Sequence, residues 1–369
     1  MITAHTDVVG SLLRPPELLQ AREDLAQGRI TPAAFKKIEE SAVDWAVRLQ
    51  EDAGVEIVTD GEMRRLSFQS QMTEAVEGFG SWDIDAFLWG EWRGVNGAED
   101  WRRERPSDIG VVGKLVRKRY LSVEEFLYLR ARTQRVPKIT LPSPGLFVNF
   151  WSPEASRDVY PTLDSFLADV VRILREEVEE LVRLGAIYIQ IDAPHYPLLL
   201  DPKTLAFYES RGWTFEKWLD LGIELDNAVM DGIPGVTFGF HLCRGNQKSR
   251  WLVEGGYEAI AKPIFRGIHA HRLLLEYDDA RSGSFAPLAH VPGDRMVVLG
   301  LVSTKRTELE DSELLTQRIN EAGRYIDKER LALSPQCGFS TSIIGNELSI
   351  EDEKAKLRLV TETARSVWG

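Results

Sequence analysis

Eight short runs of apolar residues, many of them β-branched, end in polar, glycine or proline residues and constrain the fold of this chain most strongly. They span residues 6–11, 55–61, 138–144, 187–194, 236–243, 272–278, 296–303 and 331–338. Stretches with helical periodicity lie between most of them, for example residues 162–184 and 308–326. Alternating strands and helices are typical of βα units in a parallel sheet, and eight such units predict a closed (β/α)8 TIM barrel. We expect one α/β domain over residues 1–369, with an open, doubly wound sheet as the alternative.

The segment at residues 63–137 does not fit this repeat, because it is too long for a single connection between a strand and a helix. It follows the second predicted strand and carries, among many charges, Trp82, Trp89, Trp92 and Trp101. We expect an insertion that lies over or beside one mouth of the barrel. A helical hairpin packed on the outside of the barrel is the alternative.

The composition restricts the compartment and the partners of the chain. Among 369 residues, 45 Lys and Arg stand against 57 Asp and Glu, a net charge of −12. Nucleic acid binding needs clustered positive charge, so we expect no nucleic acid partner. Two cysteines are too few for a disulfide scaffold, and neither a signal peptide nor an apolar membrane span is visible. We therefore expect a cytoplasmic protein with small-molecule partners and leave its oligomeric state open.

Polar residues that could carry chemistry collect at the ends of the predicted strands, which is where (β/α)8 barrels place their catalytic residues. His241 and Cys243 stand two apart on one strand, so both side chains face the same way. An imidazole and a thiolate are a natural pair of zinc ligands. Cys337 and Glu276 end two further strands and could complete a tetrahedral site. The alternative is an inert buried cysteine beside a hydrogen-bonded histidine.

A second histidine pair, His269 and His271, has the same spacing. It precedes the predicted strand that ends in Glu276, so it would lie at the opposite end of the barrel from the other polar groups. We interpret these two histidines as structural.

Glu62 and Asp192 supply two carboxylates at the ends of different predicted strands. Paired acids could act as general acid and base, or they could bind a substrate ammonium group. We favour the ammonium, since a metal that lowers the pKa of a thiol removes the need for a protein base. The alternative for Glu62 is a surface ion pair with Arg64 or Arg65. Trp151 could stack on a flat substrate ring or could simply pack in the core.

Four short motifs stand at these strand ends, in order along nearly the whole chain. They are Thr-Asp-Gly-Glu at 59–62, Ile-Asp at 191–192 followed by Pro194, His-Leu-Cys-Arg-Gly-Asn at 241–246, and Pro-Gln-Cys-Gly at 335–338. Together they resemble the C-terminal catalytic barrel of cobalamin-independent methionine synthase. The resemblance implies a zinc ion that binds the thiol of homocysteine, which then attacks the methyl group of a methylated folate to give methionine.

The resemblance also implies roles for particular residues. Carried over position by position, the zinc ligands are His241, Cys243, Glu276 and Cys337, the substrate carboxylate lies near Ser11, the substrate ammonium lies at Glu62 and Asp192, and the pterin ring of the donor stacks on Trp151.

Three departures from the family pattern leave open which group the thiol attacks. The family's second, N-terminal barrel has no counterpart here, its strand-seven histidine is replaced by Ser303, and its Asp-Glu-Pro reads Asp-Ala-Pro at 192–194. Short relatives include methyltransferases with other donors, such as methylcobalamin, and the zinc enzyme that opens epoxides with coenzyme M. The alternative function is therefore zinc-dependent carbon–sulfur bond formation, in which Arg14, Arg244 and Lys305 would contact a sulfonate.

Overall fold

A parallel sheet forms the centre of the structure, which is a computed structural model that describes residues 1–81, 84, 88–95, 98–106 and 109–369. The strands in chain order are β1 Ile57–Val58, β2 Val76–Phe79, β3 Gly90–Gly94, β4 Trp101–Arg103, β5 Val111–Arg117, β6 Val136–Pro137, β7 Ile139–Pro142, β8 Tyr188–Asp192, β9 Thr237–Leu242, β10 Arg250–Trp251, β11 Arg272–Glu276, β12 Met296–Val302 and β13 Leu331–Pro335.

Helices connect most of the strands of this sheet. In chain order they are α1 Pro16–Ala26, α2 Pro32–Ala53, α3 Ser70–Ala75, α4 Val123–Arg130, α5 Leu163–Arg183, α6 His195–Leu198, α7 Pro202–Glu209, α8 Phe215–Lys217, α9 Ile223–Met230, α10 Ala261–Gly267, α11 Ser312–Ala322 and α12 Ile350–Trp368. Within the described part of the chain, no helix has the length and apolar character needed to cross a membrane.

The central sheet has the strand order β7–β8–β9–β11–β12–β13, with every neighbouring pair parallel. β1 pairs in parallel with β6, and Lys138, between β6 and β7, donates its backbone N–H to the carbonyl of Val58 at 2.8 Å. Strands therefore lie within seven of the eight predicted runs. The predicted parallel α/β architecture is confirmed at this level.

The first predicted strand, residues 6–11, is the exception, because it contributes only a single parallel bridge between Thr6 and Leu333. Side chains replace backbone partners on its other side. The Thr6 hydroxyl accepts the N–H of Glu56 at 3.2 Å, and the Thr59 hydroxyl donates to the carbonyl of Gly10 at 2.6 Å. The expected strand ladder was wrong here, although the segment still contacts both β13 and the start of β1.

Two of the predicted helices show how local sequence determines helix bounds. The helix predicted at residues 162–184 is confirmed as α5, which begins with a capping box between Thr162 and Ser165. The helix predicted at residues 308–326 is shorter. It begins as α11 after Asp311, whose carboxylate accepts two backbone N–H groups of the first turn.

Among its described residues, the insertion at residues 63–137 contains two helices and several antiparallel strands, so it is not the helical hairpin of the alternative. β2 pairs with β5, and β3 pairs with β4. β10, which follows β9 in the chain, also pairs with β3 and so connects the insertion to the loop after Cys243. Of the insertion's predicted tryptophans, Trp82 lies outside the described residues.

Candidate metal centre and substrate cavity

Three side chains meet where strands β9 and β13 end. His241 lies on β9, Cys243 follows two residues later, and Cys337 comes shortly after β13. Their ligand atoms, one imidazole nitrogen and two sulfur atoms, all lie within 4.8 Å of one another, and the three side chains are buried. Imidazole nitrogen and thiolate sulfur are ligands that bind borderline and soft cations. The structure thus brings three of the four predicted ligands together in a group that could hold a metal ion.

One ring nitrogen of His241 forms a hydrogen bond within the described structure, and the other does not. Nδ1 lies 2.9 Å from Oδ1 of Asp192 at the end of β8. Since a carboxylate accepts hydrogen bonds, Nδ1 carries a proton, and in the neutral ring Nε2 presents its lone pair. Nε2 is buried and has no hydrogen-bond partner among the described residues. A metal ligand needs an unprotonated nitrogen of this kind, with the other nitrogen bound to a carboxylate, so the imidazole fits that role.

The two thiols contact each other. A hydrogen bond from Cys337 lowers the pKa of the Cys243 thiol, burial opposes this, and the charge of His241 adds to the lowering. The same hydrogen bond raises the pKa of Cys337. The pair therefore favours one thiolate, and a cation between the two sulfur atoms would favour loss of the second proton.

Glu276 ends β11 as predicted, but its carboxylate is not part of the three-residue group. One oxygen accepts the backbone N–H of Arg244 at 2.7 Å, and the other lies 3.3 Å from Lys305 and 3.4 Å from Arg281. Burial raises the pKa of Glu276, but Lys305 and the two arginines lower it to about 2, so the carboxylate is ionised. To serve as a fourth ligand, Glu276 would have to exchange these partners for the metal.

The histidine pair that we interpreted as structural lies elsewhere. His269 is exposed, and its Nδ1 lies 2.6 Å from a carboxylate oxygen of Asp231. Nδ1 of His271 accepts the backbone N–H of Phe238 at 3.0 Å, near the start of β9. Neither histidine belongs to the metal-binding group found among the described residues.

A cavity of about 400 Å³ opens from the group formed by His241, Cys243 and Cys337. Its wall includes the predicted substrate-binding residues Ser11, Glu62 and Asp192. The insertion supplies a large share of the remaining wall with apolar, aromatic and cationic side chains, among them Phe68, Trp89, Trp92, Arg102 and Arg105.

Glu62 lies just after β1 with a φ of 55°, a left-handed conformation that is uncommon for a residue other than glycine. Its Oε1 accepts the hydroxyl of Thr140 at 2.7 Å and lies 3.2 Å from the guanidinium of Arg65. Its Oε2 is buried without a partner in the described part of the chain. Burial raises the pKa of Glu62, and Arg65 offsets part of that rise. The ion pair with Arg65 is thus internal, not at the surface, and one carboxylate oxygen remains for a ligand.

Ser11 and Gly338 fit closely against each other at the cavity. A Cβ atom added to Gly338 would lie 2.0 Å from the Ser11 Oγ. No side chain can therefore follow Cys337 without moving Ser11. This close approach explains on steric grounds why a glycine follows Cys337 in the Pro-Gln-Cys-Gly motif.

Trp151 does not reach the cavity. Its side chain packs in the hydrophobic core, and its indole N–H donates to the carbonyl of Tyr160 at 3.0 Å. It is absent from the described residues that line the cavity. In this structure the core engages both the ring and the N–H of Trp151. The aromatic side chains that do line the cavity, such as Trp89, come from the insertion.

The sequence reasoning missed Thr140, which donates to Glu62 from the neighbouring strand β7. A signal for it was present, since polar Lys138 and Thr140 alternate with apolar Ile139 and Leu141. In a strand buried on both faces, such alternation indicates that polar side chains share one interior face.

Comparison with known proteins identifies the family. The model of the cobalamin-independent synthase catalytic domain matches residues 2–365. The chain belongs to this family. YxjG of Bacillus subtilis is 34% identical over 99% of this chain and 94% of that protein. A methionine synthase of Pyrococcus horikoshii is 27% identical over 90% of this chain and 86% of that protein.

Solved structures of the family share the fold. A B12-independent methionine synthase from Shewanella sp. W3-18-1, in complex with selenomethionine, superposes with a TM-score of 0.73 at 19% identity, covering 99% of this chain and 97% of that one. Given the family and its methionine synthase members, the chain is an enzyme of the methionine synthase-like methyltransferase class.

Proposed function

We propose that this chain is a zinc-dependent enzyme that transfers a methyl group to the thiol of homocysteine, or of a close analogue, and produces methionine. The methyl donor is a methylated folate or methylcobalamin. One observation carries the proposal: the group of His241, Cys243 and Cys337 lies in a cavity that also presents the carboxylates of Glu62 and Asp192. The methionine synthases of the family support the same reaction.

The proposed framework is a closed (β/α)8 barrel. Closure is supported by the bridge between Thr6 and Leu333, which joins the first segment to the last strand, and by the pairing of β1 with β6. The C-terminal ends of barrel strands converge on one mouth. The insertion at residues 63–137, which lines the cavity with Trp89 and Arg105, would cover that mouth.

His241, Cys243 and Cys337 would hold the zinc ion, and Glu276 is the candidate for a fourth ligand. The donor set fits, because one buried nitrogen has no partner and two buried thiols lie beside it. When bound, zinc lowers the pKa of a substrate thiol and keeps it as a nucleophilic thiolate at neutral pH. Asp192 would maintain the tautomer of His241 that leaves Nε2 unprotonated.

Ser11, Glu62 and Asp192 would bind the amino-acid part of the thiol substrate. Homocysteine carries an ammonium group at neutral pH, and buried carboxylates bind ammonium through charge-assisted hydrogen bonds. Glu62 offers Oε2, which has no partner among the described residues. The Ser11 hydroxyl can donate to the substrate carboxylate.

A sulfonate-bearing thiol such as coenzyme M would need cations at this end of the cavity. The three cations considered for that role are engaged elsewhere. Arg14 donates to backbone carbonyls, including that of Glu62, Arg244 donates to the carbonyl of Glu276, and Lys305 pairs with the carboxylate of Glu276. None of the three is among the described residues that line the cavity. The carboxylates of Glu62 and Asp192 therefore favour an amino-acid thiol at this end of the cavity, whereas the cations of the wall, such as Arg102 and Arg105, come from the insertion.

During transfer, the substrate sulfur would form a bond to the methyl carbon while the bond between methyl and donor breaks. The chain's part in this step is to orient the two substrates and to exclude water from the sulfur. Phe68, Trp89 and Trp92 supply apolar walls for this purpose, and they replace Trp151 as candidates to contact a flat donor. The selenomethionine complex of the Shewanella enzyme, which has the same fold, supports a site for a methionine-like product.

The test is turnover of the purified chain with homocysteine and each of two donors, methyltetrahydrofolate and methylcobalamin, with methionine measured directly. We expect methionine from at least one donor, together with about one zinc ion per chain, as for other single-site zinc enzymes. Coenzyme M with an epoxide is the control reaction. Zinc-loaded protein that forms no methionine from either donor would overturn the proposal, and so would a purified chain that binds no zinc.

A further inference from the structure

A buried amide lies directly behind Asp192. Gln190 stands two residues earlier on β8, so both side chains face the same side of the strand. Gln190 is fully buried, and its Nε2 donates to Oδ1 of Asp192 and to the carbonyl of Val9, both at 2.8 Å. The same Oδ1 lies 2.9 Å from Nδ1 of His241. One carboxylate oxygen therefore receives two donors, one from the candidate metal ligand and one from the amide.

Lys138 determines which way this amide faces. Its Nζ lies 2.7 Å from Oε1 of Gln190 and 2.8 Å from Oδ1 of Asp7. An ammonium group can only donate hydrogen bonds, so it must face the amide oxygen. The amide NH₂ must then face Asp192, and the orientation is determined by chemistry in addition to shape.

The charge of Lys138 behind the amide is paired with Asp7. Lys138 and Asp7 are both fully buried, and Asp7 also lies 3.2 Å from the guanidinium of Arg272 and accepts the hydroxyl of Tyr188 at 2.7 Å. A buried ion pair with these additional hydrogen bonds is a rigid support, because moving either partner leaves a charge unpaired. Lys138 is thus a fixed point from which the amide, the carboxylate and the imidazole are aligned in turn.

We propose that Gln190, oriented by Lys138, is a positioning residue for the metal centre. It holds the Asp192 carboxylate so that Oδ1 maintains the tautomer of His241 with a free Nε2. Oδ2 of Asp192 accepts no hydrogen bond from the described residues and is left for the cavity that Asp192 lines. The inference rests on the proposed function, since it requires that His241 binds the metal.

Two substitutions separate positioning from a purely structural role. Gln190→Met removes both the donor to Asp192 and the acceptor for Lys138. Gln190→Glu removes only the donor, since its carboxylate still accepts from Lys138. A second negative charge near Asp192 would by itself strengthen cation binding, so weaker zinc binding in Gln190→Glu would report the lost donor. If Gln190→Met fails to fold, Gln190→Glu alone carries the test.

The matched control is Tyr188→Phe. It removes a hydrogen bond of 2.7 Å to Asp7 in the same buried network, but Tyr188 makes no hydrogen bond to Gln190 or Asp192. Zinc affinity is measured on each full-length variant by competition with a chromophoric chelator. Substitutions behind a metal-ligating histidine cost roughly 10- to 100-fold in metal affinity, so we expect about tenfold weaker binding in both Gln190 variants. Tyr188→Phe should bind zinc as the unsubstituted chain does.

A second readout is independent of metal loading. In the metal-free chain labelled with ¹⁵N-histidine, and at an alkaline pH where the ring is neutral, the nitrogen shifts of His241 report which ring nitrogen carries the proton. We expect a single Nδ1-protonated form in the unsubstituted chain and a mixture in both Gln190 variants. Unchanged zinc affinity and an unchanged tautomer in Gln190→Glu would overturn this inference alone. An unsubstituted chain that binds no zinc would instead overturn the proposed function.

Discussion

Glu62→Gln separates substrate binding from metal binding in this site. The substitution keeps the size of the side chain and keeps an oxygen that accepts the hydroxyl of Thr140. Arg65 loses one ionised partner but retains Glu125, whose carboxylate lies 2.7 Å away. The oxygen that becomes NH₂ is the one without a partner among the described residues. The fold should therefore tolerate the change, and the principal loss is the negative charge offered to a ligand.

The size of the effect follows from the chemistry of that lost contact. A hydrogen bond to a charged group contributes about 1.5–3 kcal/mol. Replacing the acceptor carboxylate with an amide should therefore weaken binding of an ammonium-bearing thiol by roughly 10- to 100-fold, since each 1.4 kcal/mol is tenfold. Glu62 is not in the group formed by His241, Cys243 and Cys337, so zinc affinity should change by less than about threefold.

The assay is KM for homocysteine in steady-state turnover, combined with a zinc competition titration on the same preparations. Glu353→Gln is the matched control, because Glu353 is also a buried glutamate with an unpartnered oxygen but does not line the cavity. We expect a raised KM in Glu62→Gln and an unchanged KM in the control. An unchanged KM in Glu62→Gln, or a parallel loss of zinc, would refute the assignment of Glu62 to the substrate ammonium.

Three further predictions concern other parts of the molecule. Gly338→Ala should lower the free energy of unfolding in urea by about 1–3 kcal/mol, as overpacking does. Adding Ser11→Ala should restore part of that loss, because the added Cβ of residue 338 would lie 2.0 Å from the Ser11 Oγ. Burial raises the pKa of Glu353 to about 8, so the folded chain holds a proton there that the unfolded chain releases above the usual glutamate pKa of 4.5. The free energy of unfolding should therefore fall as pH rises from about 4.5 to 8, by on the order of a few kcal/mol, and Glu353→Gln should abolish that part of the fall; equal pH profiles for the two chains would contradict this. Zinc added to chelator-treated protein should raise the midpoint of thermal unfolding, because zinc binds preferentially to the folded state. In the same calorimetric scan, Cys337→Ser should lose most of this rise. A full rise in that variant would show that Cys337 is not a zinc ligand.

The central parallel sheet could be predicted because strands buried on both faces leave a strong signal in sequence. Residues 273–275 are three consecutive leucines, and residues 296–302 are apolar throughout apart from one glycine. The run at residues 6–11 is less apolar, with Val8 and Val9 as its hydrophobic residues, and it forms no strand ladder. Whether a ladder forms depends on the partner backbone, and here the hydroxyls of Thr6 and Thr59 take the place of backbone groups. The strand propensity of residues 6–11 gives no information on whether side chains or backbone groups will be their hydrogen-bond partners.

At the site, the neighbours of a residue could be predicted from the sequence only where they lie on the same strand. His241 and Cys243 share a face by alternation alone, so their proximity follows from the sequence. The partners of Glu276 could not be predicted in this way, because Arg281 and Lys305 lie in the loops after β11 and β12. No periodicity in the sequence describes the paths of these loops. Trp151 likewise depended on a distant group, the carbonyl of Tyr160, which binds its indole N–H.

Asp192 and Glu62 differ in their hydrogen-bond partners, and this difference makes Glu62 the better position for a test of substrate binding. Asp192 uses Oδ1 for both His241 and Gln190, so any substitution there disturbs the imidazole as well as the oxygen that faces the cavity. Loss of activity in such a variant cannot distinguish a displaced metal ligand from a lost substrate contact. Glu62 makes no hydrogen bond to His241, and its Oε2 is not used by the described residues. Since the proposed substrate and metal sites share Asp192 but not Glu62, substitution of Glu62 is the cleaner test of whether the cavity binds an ammonium group.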